Sequence, residues 1–153
     1  MYILTISGSL VNNLQLLDVG QIATDLGVVV LIWLVQLVIY PSFMYYSREN
    51  LLRWHGRYTS AVTVVVMPLM LTQLALSGLV AYRQYCMWSV LHLSLVLCMW
   101  GITFLRAVPL HAKIDDSDEP HTAALQLVKV NWWRTLGWST VFLITILRIA
   151  TAL

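Results

Sequence analysis

An all-α, integral membrane four-helix bundle running up-down-up-down is the fold this sequence predicts, on three observations. The 153 residues are 59% hydrophobic and only 10% charged, with a mean hydropathy of +0.77, well beyond the apolar share of a soluble domain. Three stretches lack Asp, Glu, Lys and Arg: 22 residues between Asp25 and Arg48, 25 between Arg57 and Arg83, and 22 between Arg83 and Arg106. Each is long enough to cross roughly 30 Å of hydrocarbon as a helix. A fourth apolar stretch closes the chain, and short connections between the four favour a single bundle.

Residues 1–20 are expected to form an N-terminal interfacial segment, striped by Leu10, Leu14 and Leu17, or a tail, ahead of a bundle domain over residues 21–153. No basic stretch precedes the apolar start, and Asn12 and Asn13 break it early, so the first span, about residues 24–46, is expected to direct insertion itself. That span should end near Pro41. The second, about 57–82, contains Pro68, which removes a backbone hydrogen bond and predicts a kink. The third, about 86–108, should end near Pro109. Residues 113–120 read as the one plainly aqueous loop, since Lys113, Asp115, Asp116, Asp118 and Glu119 precede Pro120 and a helix start near His121. In the fourth span, about 131–151, only the 13 residues Thr135 to Leu147 are free of charge. Arg134 is therefore expected near one surface, with Arg148 snorkelling to the other.

Charge sets the orientation. Arg48, Arg53, Arg57, Arg106, Lys113, Lys129 and Arg134 fall on one side and only Arg83 and Arg148 on the other, so both termini are expected on the non-cytoplasmic side. Cys86 and Cys98 lie on one helix about 18 Å apart, too far for an internal disulfide. The two halves echo each other: an odd helix, a proline, a loop, then Trp54-His55-Gly56-Arg57-Tyr58-Thr59 in one and Asn131-Trp132-Trp133-Arg134-Thr135 in the other. A duplicated hairpin explains this, as does the preference of tryptophan and arginine for interfaces.

The reactive side chains gather at one end of the spans. His55, expected in the first turn of the second helix with Tyr58 and Thr59 on its face, can take a proton near neutral pH or bind a metal; otherwise it belongs to an aromatic belt. His111, expected at the C-terminus of the third helix, is a base or ligand, or a cap favoured by the helix dipole. Arg134 is costly in hydrocarbon, about 2.5–3.5 kcal/mol at a helix centre. A substrate oxyanion, a cofactor's anionic group held with Arg57, or a lipid phosphate would offset that cost. Asn131, three residues earlier on the same face, orients a substrate oxygen or caps the embedded helix. His55 and His111 would be the ligands if haem b or a transition metal were bound. Gln36 and Tyr40 share a face of the first helix and Gln73 lies deep in the second; interhelical hydrogen bonds are their expected role. His92, near the opposite surface, is expected to serve packing or the interface.

Thr103-Phe104-Leu105-Arg106-Ala107-Val108-Pro109-Leu110-His111, followed by Asn131-Trp132-Trp133-Arg134-Thr135, resembles the small four-helix membrane proteins of the DUF1772, or anthrone oxygenase-like, family. There a threonine precedes a Val-Pro-Leu-Asn motif ending the third helix, and an Asn-x-x-Arg-Thr motif opens the fourth. Pro41 matches a proline ending the first. This chain has His111 in place of the family's asparagine. The resemblance implies a role for Asn131 and Arg134 at the polar end of an intramembrane cavity.

Two functions follow as expectations. One is an oxidoreductase or oxygenase acting on a lipid-soluble phenolic or quinonoid molecule, with His111 or His55 taking a proton, Tyr58 beside them, and Arg134 and Asn131 holding the oxyanion. The other is a non-catalytic accessory subunit or assembly factor of a larger membrane complex. The expected partners are the lipid bilayer, an apolar small molecule, and a larger complex or further copies of the chain; a nucleic acid is not among them.

Overall fold

A computed structural model describes residues 2–116 and 118–152, with side chains for residues 15–116 and 118–151. Four helical rods make up the described residues. The first, α1, runs Tyr2–Leu34, passes through a π-helical turn at Val35–Ile39, and ends in Tyr40–Ser42 and a 3-10 turn at Phe43–Tyr45. Then come α2, Arg48–Arg83, and α3, made of Met87–Ile102, a second π-helical turn at Thr103–Ala107, and Val108–Asp116. The last, α4, is Pro120–Ala152.

Three of these rods, Gln15–Tyr45, Arg48–Arg83 and Met87–Asp116, are long and apolar enough to cross a membrane. Their outward faces carry Val30, Leu37, Val64, Leu97 and Leu105, all exposed, as suits contact with lipid. The stripe expected for the N-terminal segment rests on Leu10 and Leu14, whose side chains lie outside the described residues.

Alternation of direction follows from which residues meet. Asp25 of α1 bonds Gln73, His92 and Thr145 of the other three rods, and Tyr40, fifteen residues further along α1, meets Tyr58, His111 and Arg134. Numbers rise along α1 and α3 as they fall along α2 and α4, so the bundle runs up-down-up-down. Buried apolar side chains fill it in two groups, one around Phe43, Leu51, Ile114 and Leu127, the other around Ile32, Val96, Trp138 and Val141.

Several helix ends differ from the sequence expectation, for reasons visible in the backbone. Ser47 caps α2 by accepting from Asn50 N–H, so the helix starts at Arg48 and His55 lies two turns inside it rather than in its first turn. Pro109 does not end α3. A proline removes one hydrogen bond and crowds the carbonyl four residues back. Here the π-helical turn absorbs the misfit, with Val108 N–H donating to Thr103 C=O five residues back. The helix then continues to Asp116, so the expected loop over 113–120 is half helix and His111 is an interior residue, not a C-terminal cap. The same device precedes Pro41, where Tyr40 N–H donates to Val35 C=O. The echo between the halves therefore extends to the backbone.

Close packing of α3 against α4 depends on Gly137. A Cβ built there would lie 2.7 Å from Met99 Cε, 3.2 Å from Met99 Cγ, and closer still to Met99 Sδ, and Met99 is buried. Gly137→Ala is expected to cost about 1–3 kcal/mol through overpacking. Met99→Ala in the same chain removes the clash, so the two substitutions together should cost less than the sum of their separate losses, as read by unfolding in mixed micelles.

Candidate functional site

Two turns of helix beyond its start, α2 presents His55 to α3, and the π-helical turn of α3 swings His111 to meet it. His55 Nε2 lies 2.8 Å from His111 Nδ1, His55 Nδ1 lies 2.6 Å from Asp115 Oδ1, and His111 Nε2 lies 2.9 Å from the Tyr40 hydroxyl. That hydroxyl also meets Tyr58 and Arg134. Phe43, fully buried, packs its ring against Tyr40, His55 and Tyr58.

Arg134 is held by neutral groups. Its Nη1 donates to Asn131 Oδ1 at 2.8 Å and its Nε to Thr103 Oγ1 at 3.2 Å, while Asn131 Nδ2 donates to Gln36 Oε1 at 2.9 Å. Arg134 is 7% exposed, and no carboxylate pairs with its guanidinium among the described residues.

Tyr40, His111, Thr103 and Arg134 form the polar end of a cavity of about 150 Å³ otherwise walled by apolar side chains, among them Ile32, Val66, Met70 and Trp138. Three members of the wall, Thr63 on α2 and Phe104 and Val108 on α3, are exposed at the surface. The cavity thus reaches the outside between α2 and α3, at the depth of the apolar belt.

Of the residues singled out from sequence, His111, Arg134 and Tyr58 line this cavity, and His55 stands directly behind His111. Asn131 does not reach the cavity wall. Both halves of its amide are engaged, so it holds Arg134 to Gln36 rather than facing a ligand. Arg57 is exposed and lines no part of the cavity. Gln36 and Gln73 make the interhelical bonds expected of them. The four ring nitrogens of His55 and His111 are directed at Asp115, at each other and at Tyr40, and among the described residues no three His, Cys, Asp or Glu side chains are arranged to hold a metal ion.

Tyr40 makes the interhelical bond expected of it, to His111, but its place in the site was not expected. It joins the histidine pair to Arg134, and the only signal for it was its position one turn after Gln36, just before Pro41. A second polar cluster was not expected as a group, although Gln73 within it was expected to bond between helices. At the other end of the bundle, Asp25 is fully buried and accepts from Gln73 Nε2 at 2.6 Å and Thr145 Oγ1 at 2.5 Å, and lies 3.0 Å from His92 Nε2. Gln21 Nε2 reaches His92 Nδ1 at 3.1 Å and Gln21 Oε1 accepts from Arg148. Arg148 also donates to Asp18 at 2.7 Å and to Gln84. The expectations for two residues are corrected here. His92 is buried at the centre of a network rather than at an interface, and Arg148, 4% exposed, turns inward to a carboxylate rather than snorkelling. Ion pairing and three hydrogen bonds inside the bundle outweigh the reach to the surface.

Comparisons with protein families, with curated proteins and with solved structures found no match to this chain.

Proposed function

We propose that this protein is an integral membrane oxidoreductase of oxygenase type, with both termini on the non-cytoplasmic side, and that its cavity takes a lipid-soluble phenolic or quinonoid molecule. One observation carries the reading: Arg134 lies buried on the cavity wall with only neutral partners. Burying an ion costs several kcal/mol unless a counter-charge offsets it, and Arg134 lines the cavity. A phenolate or enolate oxygen supplies that charge.

Size and access agree with such a ligand. A cavity near 150 Å³ holds about one benzene-sized ring, and the opening between α2 and α3 lets an alkyl tail remain in the lipid. The ring's hydroxyl then sits among Arg134, Tyr40 and His111. Tyr40 accepts its proton and passes its own to His111, and Arg134, fixed by Thr103, Asn131 and Gln36, holds the oxyanion. The electron-rich ring that results is the species dioxygen oxidises.

The motif resemblance supports the same proposal. Thr103, Asn131 and Arg134, the positions that carry the likeness to the anthrone oxygenase-like family, form one hydrogen-bonded group. The orientation rests on the seven Lys and Arg at the His55 end against two at the other.

Binding of 4-nonylphenol and 4-nonylanisole to the protein in nanodiscs tests the reading. The phenol is expected to bind at least tenfold more tightly, because the ether has no proton to give. Equal affinity, or no binding of either, would overturn it.

A further inference from the structure

Four polar side chains form a single file from the cavity to the aqueous end of the bundle, and their hydrogens can be placed in order. Asp115 is 46% exposed and His55 fully buried. A carboxylate only accepts, so with neutral imidazoles His55 carries its hydrogen on Nδ1 and leaves Nε2 as an acceptor. His111 must then donate from Nδ1 to His55, leaving its own Nε2 to accept from the Tyr40 hydroxyl. Every donor in the file points toward Asp115, at separations of 2.6, 2.8 and 2.9 Å. The Tyr40 oxygen also meets Arg134 and Tyr58, so a donor arriving from the cavity takes the place of the Tyr58 hydroxyl there.

We infer that this file is a proton-release wire that carries the substrate's hydroxyl proton to the aqueous side. It rests on the reading of the Arg134 end of the cavity as an oxyanion site. In one shift the substrate O–H, the Tyr40 O–H and the Nδ1–H bonds of both imidazoles break. New bonds form at Tyr40 O, His111 Nε2, His55 Nε2 and an Asp115 oxygen. The substrate oxygen ends negative beside Arg134, Asp115 ends neutral, and both imidazoles end in the opposite tautomer.

Water does not short-circuit the middle of the wire, because His55 is enclosed and Phe43 covers Tyr40 and Tyr58. His55 is enclosed and Asp115 half exposed, so the proton leaves at the Asp115 end. The ionisable groups facing the file are Tyr40 from α1, His55 and Tyr58 from α2, His111 and Asp115 from α3, and Arg134 from α4. Tyr40 is the group that takes the proton from substrate, and His111 receives it from Tyr40. His55 and Asp115 act through them, as positioning residues that also receive the proton.

Nitrogen-15 NMR of histidine-labelled protein in nanodiscs reads the wire directly, with signals assigned from His55→Gln and His111→Gln variants. Both rings are expected as Nδ1–H tautomers in the free protein, and both as Nε2–H with 4-nonylphenol bound. The anisole should leave them unchanged. In Asp115→Asn, which has no carboxylate to take the proton, the phenol should bind without the switch. Nε2–H on either ring in the free protein, a bound phenol with unchanged tautomers, or a switch that survives Asp115→Asn would each overturn the wire while leaving the oxyanion site standing. A phenol that fails to bind overturns the oxyanion site itself, and the substrate as the proton's source with it.

Discussion

Arg134→Met is expected to abolish phenol binding, by about 100-fold or more, and to leave the bundle within about 1 kcal/mol of its original stability. A charge-assisted hydrogen bond to a buried oxyanion is worth about 3 kcal/mol or more once its partner is removed, which sets the binding loss. Stability behaves differently, because the guanidinium has no carboxylate to neutralise it. Removing it relieves a buried, unpaired ion, which favours folding, and leaves the Asn131 Oδ1 and Thr103 groups short of a donor, which costs about 1–3 kcal/mol. The two effects oppose each other. Paired measurements of phenol affinity and of unfolding in mixed micelles separate them. A variant that loses several kcal/mol of stability would mean that Arg134 is a structural strut, and full retention of phenol affinity would remove it from the site.

Asp25→Ala should have the opposite profile. Asp25 accepts from Gln73 and Thr145 and pairs with His92, all four side chains being at most 1% exposed. Deleting the carboxylate strands three polar groups from three different rods in an apolar interior, each costing about 1–3 kcal/mol and not additively. A total loss of about 3–5 kcal/mol is expected, in line with breaking a buried pair. Asp25→Asn keeps an acceptor for Thr145 or His92 and should lose about half as much. Phenol affinity should survive in whatever fraction folds, since Asp25 lies at the other end of the bundle. A loss under about 1 kcal/mol for the alanine variant would show that the network contributes little to holding the rods together.

The fold was legible because apolar segments of membrane length leave few alternatives. Composition, three charge-free stretches and short connections are enough to select four helices, and proline and aspartate placed the loops to within a turn or two. The His55 end was legible for a similar reason: basic and aromatic residues collect where spans meet water. Reading helix ends from proline was less successful, because Pro41 and Pro109 are each preceded by a π-helical turn that lets the helix run on, and no local residue pattern announces such a turn.

Asp25 shows the other limit. As a boundary between charged and uncharged stretches it reads as the edge of a span, whereas α1 carries it to full burial. Gln21, Gln73, His92, Thr145 and Arg148 come from all four rods, and each taken alone resembles an ordinary interfacial or interhelical residue. Their number inside or beside apolar stretches was the available signal, since a buried polar group demands a partner of matching chemistry.

Sequence by itself determined the number of helices, their alternation and the end at which basic and imidazole groups collect, because these follow from hydrophobic length and the cost of leaving backbone and charge unsatisfied in an apolar interior. Tertiary structure alone decided that His55 and His111 bond each other, that Tyr40 ties them to Arg134, and that Arg134 has no carboxylate beside it. Those are relations between residues more than fifty positions apart, set by two backbone turns that rotate the side chains a fraction of a helical turn. Hydrogen bonds about 3 Å long are made or missed within that rotation.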